Sequence, residues 1–157
     1  MILVACIGNI FQGDDAFGVE VAKVLLPRFR SQQHVRVVDF GIRGLDLTYA
    51  LMDAPDLTIL VDAVSRGGDP GTLYTIEPEL EATGEPGMDA HAMGPVQVLR
   101  AVKSMGGRFG RVLLVGCEPA DLGGEEGRMG LTAPVSAAVE QAAEIIESLI
   151  AMELEEA

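Results

Sequence analysis

The chain has no tryptophan, two cysteines, two histidines and few aromatic residues, and each scarcity removes options. With aromatics at 4%, the core has to be assembled from Val, Leu, Ile and Ala, a mix that suits a parallel sheet covered by helices. Cys6 and Cys117 make neither a disulfide framework nor a zinc-ligand spacing, which fits a reduced compartment. Basic residues are also scarce: 11 Lys and Arg against 24 Asp and Glu leave a formal net charge of −13. That charge repels phosphate backbones and anionic headgroups, which argues against nucleic acid and membrane surfaces as partners. Part of it is a tail effect, since Glu144, Glu147, Glu153, Glu155 and Glu156 read as a solvated acidic end. No apolar stretch approaches the ~18 residues of a membrane-spanning helix. The opening MILVACIGN lacks a basic n-region and reads as a strand rather than a signal peptide. A soluble, cytoplasmic protein is the expectation.

What is present is an alternation of strands and helices. At 157 residues, one domain spanning 1–157 is expected. Apolar runs at Ile2 to Ile7, Val35 to Phe40, Leu57 to Val61 and Val112 to Gly116, with a weaker one at Thr72 to Ile76, predict five strands. Helices are expected from about Asp15 to a stop at Pro27, over Gly44 to Met52, over about Gly94 to Ser104, and from after Thr132 to about Met152. A Gly- and Pro-rich stretch, Thr83 to Asp89, precedes the third helix. The pattern implies an α/β fold of three layers, α/β/α, around a mostly parallel, roughly five-stranded twisted sheet. In such sheets the functional groups gather where strands end at their carboxyl edge.

That rule selects a few polar residues. The first strand empties into Gly8-Asn9-Ile10-Phe11-Gln12-Gly13-Asp14-Asp15. One of the two aspartates is expected to cap the following helix, leaving the other without a structural task. Asp62 arrives directly after the third apolar run, where the bland alternative is an Asx-turn. His91, between the glycine-rich stretch and the third helix, would alone be an ordinary loop histidine. His34 precedes a strand among polar neighbours and reads as a surface residue. Two carboxylates and one imidazole, if they converge, make an open three-ligand site of the kind that Ni²⁺ or Zn²⁺ accepts.

Rival readings of this acidic edge are weaker. A dinucleotide site lacks G-x-G-x-x-G and would set Asp14-Asp15 against a pyrophosphate, and no P-loop Gly-Lys-Ser/Thr follows the first strand. A phospho-receiver domain shares the acidic pair but needs a lysine at the end of a late strand, and the only lysines are Lys23 and Lys103, both on expected helices. A cysteine nucleophile has no basic neighbour beside Cys6 or Cys117, so both thiols read as packing residues.

Several segments together resemble the endopeptidases that mature nickel–iron hydrogenases. These are Gly8-Asn9, Gly13-Asp14-Asp15 and Gly18, then Asp39-x-Gly41-x-x-Gly44, Asp62-Ala63, Pro70-Gly71-Thr72, His91-Ala92-Met93-Gly94, Gly116-x-Glu118-Pro119 and Gly130-Leu131-Thr132. The resemblance runs in order along nearly the whole chain. It implies that Asp15, Asp62 and His91 bind a metal ion and carry the catalytic centre, and that the substrate is the precursor of a hydrogenase large subunit. A short C-terminal extension of that precursor would be removed once nickel has been inserted, with the nickel serving as recognition signal. The nickel would arrive with the substrate and be shared with the enzyme, other divalent metals being able to substitute. A monomer is the expected state. Two departures stand out: Cys6 occupies a position where many members carry glycine, and Asp15 is a methylene shorter than the glutamate of some relatives. A non-cleaving, nickel-sensing module that inspects the precursor is the alternative of a different class.

Overall fold

The structure, a computed structural model, describes residues 1–42, 44–79 and 95–156, with Leu45 described in its backbone alone. The Thr83 to Asp89 stretch and His91 lie outside the described residues. Five strands form one sheet: β1 (Ile2–Ile7), β2 (Val35–Gly41), β3 (Leu57–Ala63), β4 (Leu73–Ile76) and β5 (Arg111–Cys117). They lie side by side in the order β2-β1-β3-β5-β4. All neighbours run parallel except β4, which pairs antiparallel with β5 at one edge. Among the described residues, four α-helices flank the sheet, α1 (Phe17–Phe29), α2 (Gly44–Leu51), α3 (Pro95–Ser104) and α4 (Ala133–Glu156). The α/β expectation holds.

Strand alternation sorts the apolar residues into two cores. Ile2, Val4 and Cys6 of β1 join Leu57, Ile59 and Val61 of β3 beneath α1 and α4. Leu3, Ala5 and Leu60 turn to the other face and meet Leu47 and Leu51 of α2 and Leu99 and Val102 of α3. Strands β1, β3 and β5 are covered on both faces, which is why they read as continuous apolar runs rather than alternating ones.

Two boundaries differ from expectation. Pro27 lies inside α1, which continues to Phe29. The proline leaves the carbonyl of Lys23 without its helical donor, but Lys23 is exposed and water can serve that oxygen, so the last turn survives. Helix α4 reaches Glu156, and part of its acidity has a partner: Arg28 of α1 bonds Glu140 at 2.7 Å and Glu147 at 2.8 Å.

One core position is mismatched. The Thr58 hydroxyl on β3 is fully buried and has no hydrogen-bond partner among the described residues. Its register neighbours are Leu3 and Val112, both apolar. Thr58→Val keeps the shape and removes a desolvated hydroxyl, so it is expected to stabilise the fold by about 1 kcal/mol, read as a higher urea midpoint with unchanged slope. An equal or lower midpoint would mean that the hydroxyl is satisfied.

Candidate active site

The carboxyl edge of the sheet is built on glycine. After β1 the chain turns at Gly8, whose N–H donates to the Gly41 carbonyl at the end of β2 (2.9 Å). A Cβ on Gly8 would collide with the backbone carbonyl of Asp15, so only glycine lets the 3-10 turn Gly13–Ala16 fold over the end of β1. A Cβ on Gly18 would likewise strike the carbonyl oxygens of Ile7 and Val61, which fixes the start of α1 against the ends of β1 and β3 together. The loop after β1 is thereby held beside Asp62, the last residue but one of β3.

Asp14 and Asp15 take separate roles, and neither caps the helix: the N-cap of α1 is Ala16, which makes no side-chain cap bond. Asp14 is fully buried. One oxygen accepts the N–H groups of Ala120 (2.8 Å) and Asp121 (3.0 Å), and the other accepts that of Thr132 (2.7 Å), whose hydroxyl also bonds the carboxylate. Burial pushes this carboxyl up, but the donors from Thr132, Asp121 and Ala120 together outweigh it and hold it below the usual carboxylate range. Asp14 therefore ties the β1 loop to the segments leaving β5 and entering α4.

Among the described residues, Asp15 and Asp62 lack such anchorage. Asp15, half-buried, accepts one weak bond from the Asn9 N–H (3.2 Å), and burial raises its carboxyl. Asp62 accepts the Ala63 N–H (2.8 Å). Burial first, and then the negative charge of Asp15, push Asp62 up to about 8. The structure thus brings these two residues into one electrostatically coupled pair that carries a proton near neutral pH. Such a pair is poised to give and take protons, or to exchange its proton for a cation.

Among the described residues, no three His, Cys, Asp or Glu side chains form a metal-binding group, and His91 stands outside them. The chain does enter α3 near this edge, since Val98 lies 3.7 Å from where a Gly44 Cβ would sit, at the start of α2. His34 is exposed and its carbonyl accepts the Ile2 N–H, which places it at the opposite end of the sheet from the pair. Both thiols are buried, and burial pushes each up, Cys117 to about 11, so they pack as neutral groups. Strand β5 ends at Cys117 and is followed by Glu118, not by the lysine that a phospho-receiver needs.

Glu118 escaped the reading of the sequence. It is 5% exposed, and a single oxygen accepts the N–H groups of Arg66 (2.8 Å) and Gly68 (3.0 Å) and the Tyr74 hydroxyl (2.8 Å). The Arg66 N–H contributes most to holding its carboxyl below the usual range. Glu118 fastens the loop that leaves Asp62 to the end of β5. The only signal available was Gly116-x-Glu118-Pro119, a motif with no local partner.

The family model for hydrogenase maturation protease matches residues 19–149. The hydrogenase expression/formation protein HupD of Rhizobium leguminosarum bv. viciae is 35% identical over 153 residues, covering 94% of this chain and 74% of that protein. The hydrogenase 2 maturation protease of Escherichia coli K12 is 32% identical over 144 residues, covering 91% and 86%. Among solved structures, the hydrogenase maturating endopeptidase HybD from E. coli superposes with a TM-score of 0.80 at 30% identity, covering 97% of this chain and 93% of that one.

Proposed function

Because the chain belongs to the hydrogenase maturation protease family, a family of peptidases, we propose that it removes the C-terminal extension of a nickel–iron hydrogenase large-subunit precursor after nickel insertion. The observation that supports this most directly is the coupled pair Asp15 and Asp62 at the carboxyl edge. Hydrolysis of the peptide bond needs a group to take a proton from water as it attacks the carbonyl carbon, and a proton for the departing amine. A carboxylate of this pair can take the proton from the attacking water and return it to the amine as the bond breaks.

The same two carboxylates, with His91, are the ligands we assign to the nickel that arrives in the precursor. Their chemistry fits: two mutually repelling acids, partly removed from water, are relieved by a cation, and oxygen with imidazole suits a borderline divalent ion. The nickel supplies positive charge that seats the precursor and polarises the carbonyl at the cut. Asp15 stands in the 3-10 turn after β1 and Asp62 near the end of β3, so both would present their oxygens to that cation from backbone anchored to the sheet.

The test is to incubate nickel-loaded precursor with the protein and weigh the products. Loss of the C-terminal extension as a separate fragment is expected, and nickel-free precursor should stay whole. His91→Ala should bind and cleave poorly while unfolding like the wild type. An intact precursor that nevertheless binds in a nickel-dependent way would replace the protease by a sensing module.

A further inference from the structure

Strand β2 is an outer strand of the sheet, and its free edge leads to the acid pair. The His34 carbonyl accepts the Ile2 N–H (2.8 Å), which sets the parity of the strand: His34, Arg36 and Val38 turn their backbone groups to β1. Val35, Val37 and Asp39 turn theirs outward. Among the described residues, no hydrogen bond is made by the outward N–H and C=O of Val35 and Val37, Val37 being half-buried and Val35 5% exposed at the start of the strand. Exposed edges are usually blunted by shortness, proline, charged side chains or a covering element, and of these β2 has only the charges of Arg36 and Asp39. The opposite edge strand, β4, has four residues, whereas β2 has seven and contains neither proline nor lysine.

A groove of about 420 Å³ runs beside this edge, between β2 and α2. Arg36, Val38 and Phe40, the alternate residues of one strand face, line one wall, and Asp46, Tyr49 and Asp53 line the other. Tyr49 is 62% exposed. Open backbone groups beside a slot for every second side chain are what an extended peptide needs in order to join a sheet.

The geometry points to the β2 edge as the docking site of the precursor's own chain near the bond to be cut, added as a sixth strand with alternate side chains in the β2–α2 groove. This rests on the processing reading above. Charge sets the chemistry of the occupant: Arg36 and Asp53 of the groove pair with each other at 3.9 Å, and the chain as a whole carries a net charge of −13, so neutral or basic side chains are favoured at groove-facing positions over acidic ones. Position sets the spacing. The end of β2 is joined to the β1 loop through the bond from Gly8 to Gly41. An added strand lies three interstrand steps from β3, ~14 Å at ~4.8 Å each. An extended chain crosses that distance in about four residues. The cleaved bond should therefore stand about four residues beyond the paired segment.

Val37→Pro deletes an outward N–H without touching the ladder to β1, a place where an edge strand tolerates proline, and Tyr49→Ala widens the groove. With nickel-loaded precursor, both variants should raise KM about tenfold or more and leave kcat within twofold. Independently, hydrogen exchange at the amides of Val35 and Val37 in the wild type should slow at least tenfold on adding precursor whose scissile amide is N-methylated. Unchanged KM in Tyr49→Ala together with unchanged exchange overturns the proposal, and these two measurements decide it should Val37→Pro fail to fold. If the wild type leaves the precursor intact, the processing reading fails, while protection at Val35 and Val37 would still establish docking. Protection already present without precursor, in a chain that light scattering shows to be a dimer, would assign the edge to a second copy and overturn the proposal.

Discussion

Asp62→Asn is expected to slow processing by about a thousandfold or more while making the protein more resistant to heat above neutral pH. The two effects share one cause. Burial and the charge of Asp15 push the Asp62 carboxyl up to about 8, whereas in the unfolded chain it titrates near the ordinary aspartate value of ~3.9. Between those values the folded state holds a proton that the unfolded state has released, so stability falls as pH rises. The contribution of Asp62 is complete below the unfolded value and is lost as pH climbs through about 8. An amide cannot ionise, and its oxygen can still accept the Ala63 N–H that now bonds Oδ1 (2.8 Å). At pH 9 the variant should gain about 5 kcal/mol, a rise of roughly 10 °C or more in Tm for a chain of this size, and at pH 4 it should melt with the wild type.

Melting curves across pH and processing rates by gel shift check both halves. A wild type whose Tm is indifferent to pH between 5 and 9, relative to Asp62→Asn, would show that neither burial nor Asp15 raises the Asp62 carboxyl. A processing rate within a few fold of wild type would remove Asp62 from the chemistry. Inactivity joined to higher stability separates a functional carboxylate from a structural one, since an active centre keeps an unfavourable charge that the fold alone would discard.

How far the sequence disclosed this arrangement depended on how local each cause is. Strands β1, β3 and β5 were legible because burial on both faces leaves an unbroken apolar run, as at Leu57 to Val61. Strand β4 was faint because it is a short edge strand with no fully buried residue. The end of α1 was misplaced because Pro27 forbids only one hydrogen bond and the exposed carbonyl it frees needs no protein partner. Asp62 could be found by its position, since an acid straight after a buried strand must reach the carboxyl edge. Asp14 and Glu118 could not be interpreted that way. The partners of Asp14 at Ala120, Asp121 and Thr132 are more than a hundred residues away, and those of Glu118 come from Arg66, Gly68 and Tyr74. Adjacent aspartates looked like a cap and a spare. They are an anchor and one member of the acid pair.

Asp14→Asn is accordingly expected to be the most destabilising single-atom exchange at this edge, costing about 3 kcal/mol or more, in contrast to the gain at Asp62. The carboxylate accepts backbone N–H groups on both oxygens, two of them, from Ala120 and Asp121, on the same oxygen. Whichever way the amide is turned, its NH₂ faces N–H groups that have no other acceptor among the described residues, in a position with no exposure to water. The pH signature is also reversed. Because hydrogen bonds hold the folded Asp14 carboxyl below its unfolded value, its contribution is present above ~4 and is lost as pH falls through the folded value, so wild-type stability should drop in acid. Asp14→Asn should lack that acid limb and melt low at every pH, while Asp62→Asn lacks the alkaline fall. Thr132→Val, which removes only the hydroxyl bond (2.8 Å), should cost about 1 kcal/mol and retain the acid limb. Urea titrations from pH 2 to pH 8 measure all three. An Asp14→Asn protein within ~0.5 kcal/mol of wild type at pH 6 would mean that the β1 loop does not depend on this anchor. The placement of Asp15 beside Asp62 would then need a different physical cause, because the loop that carries Asp15 is tied through Asp14 to the segments after β5 and before α4.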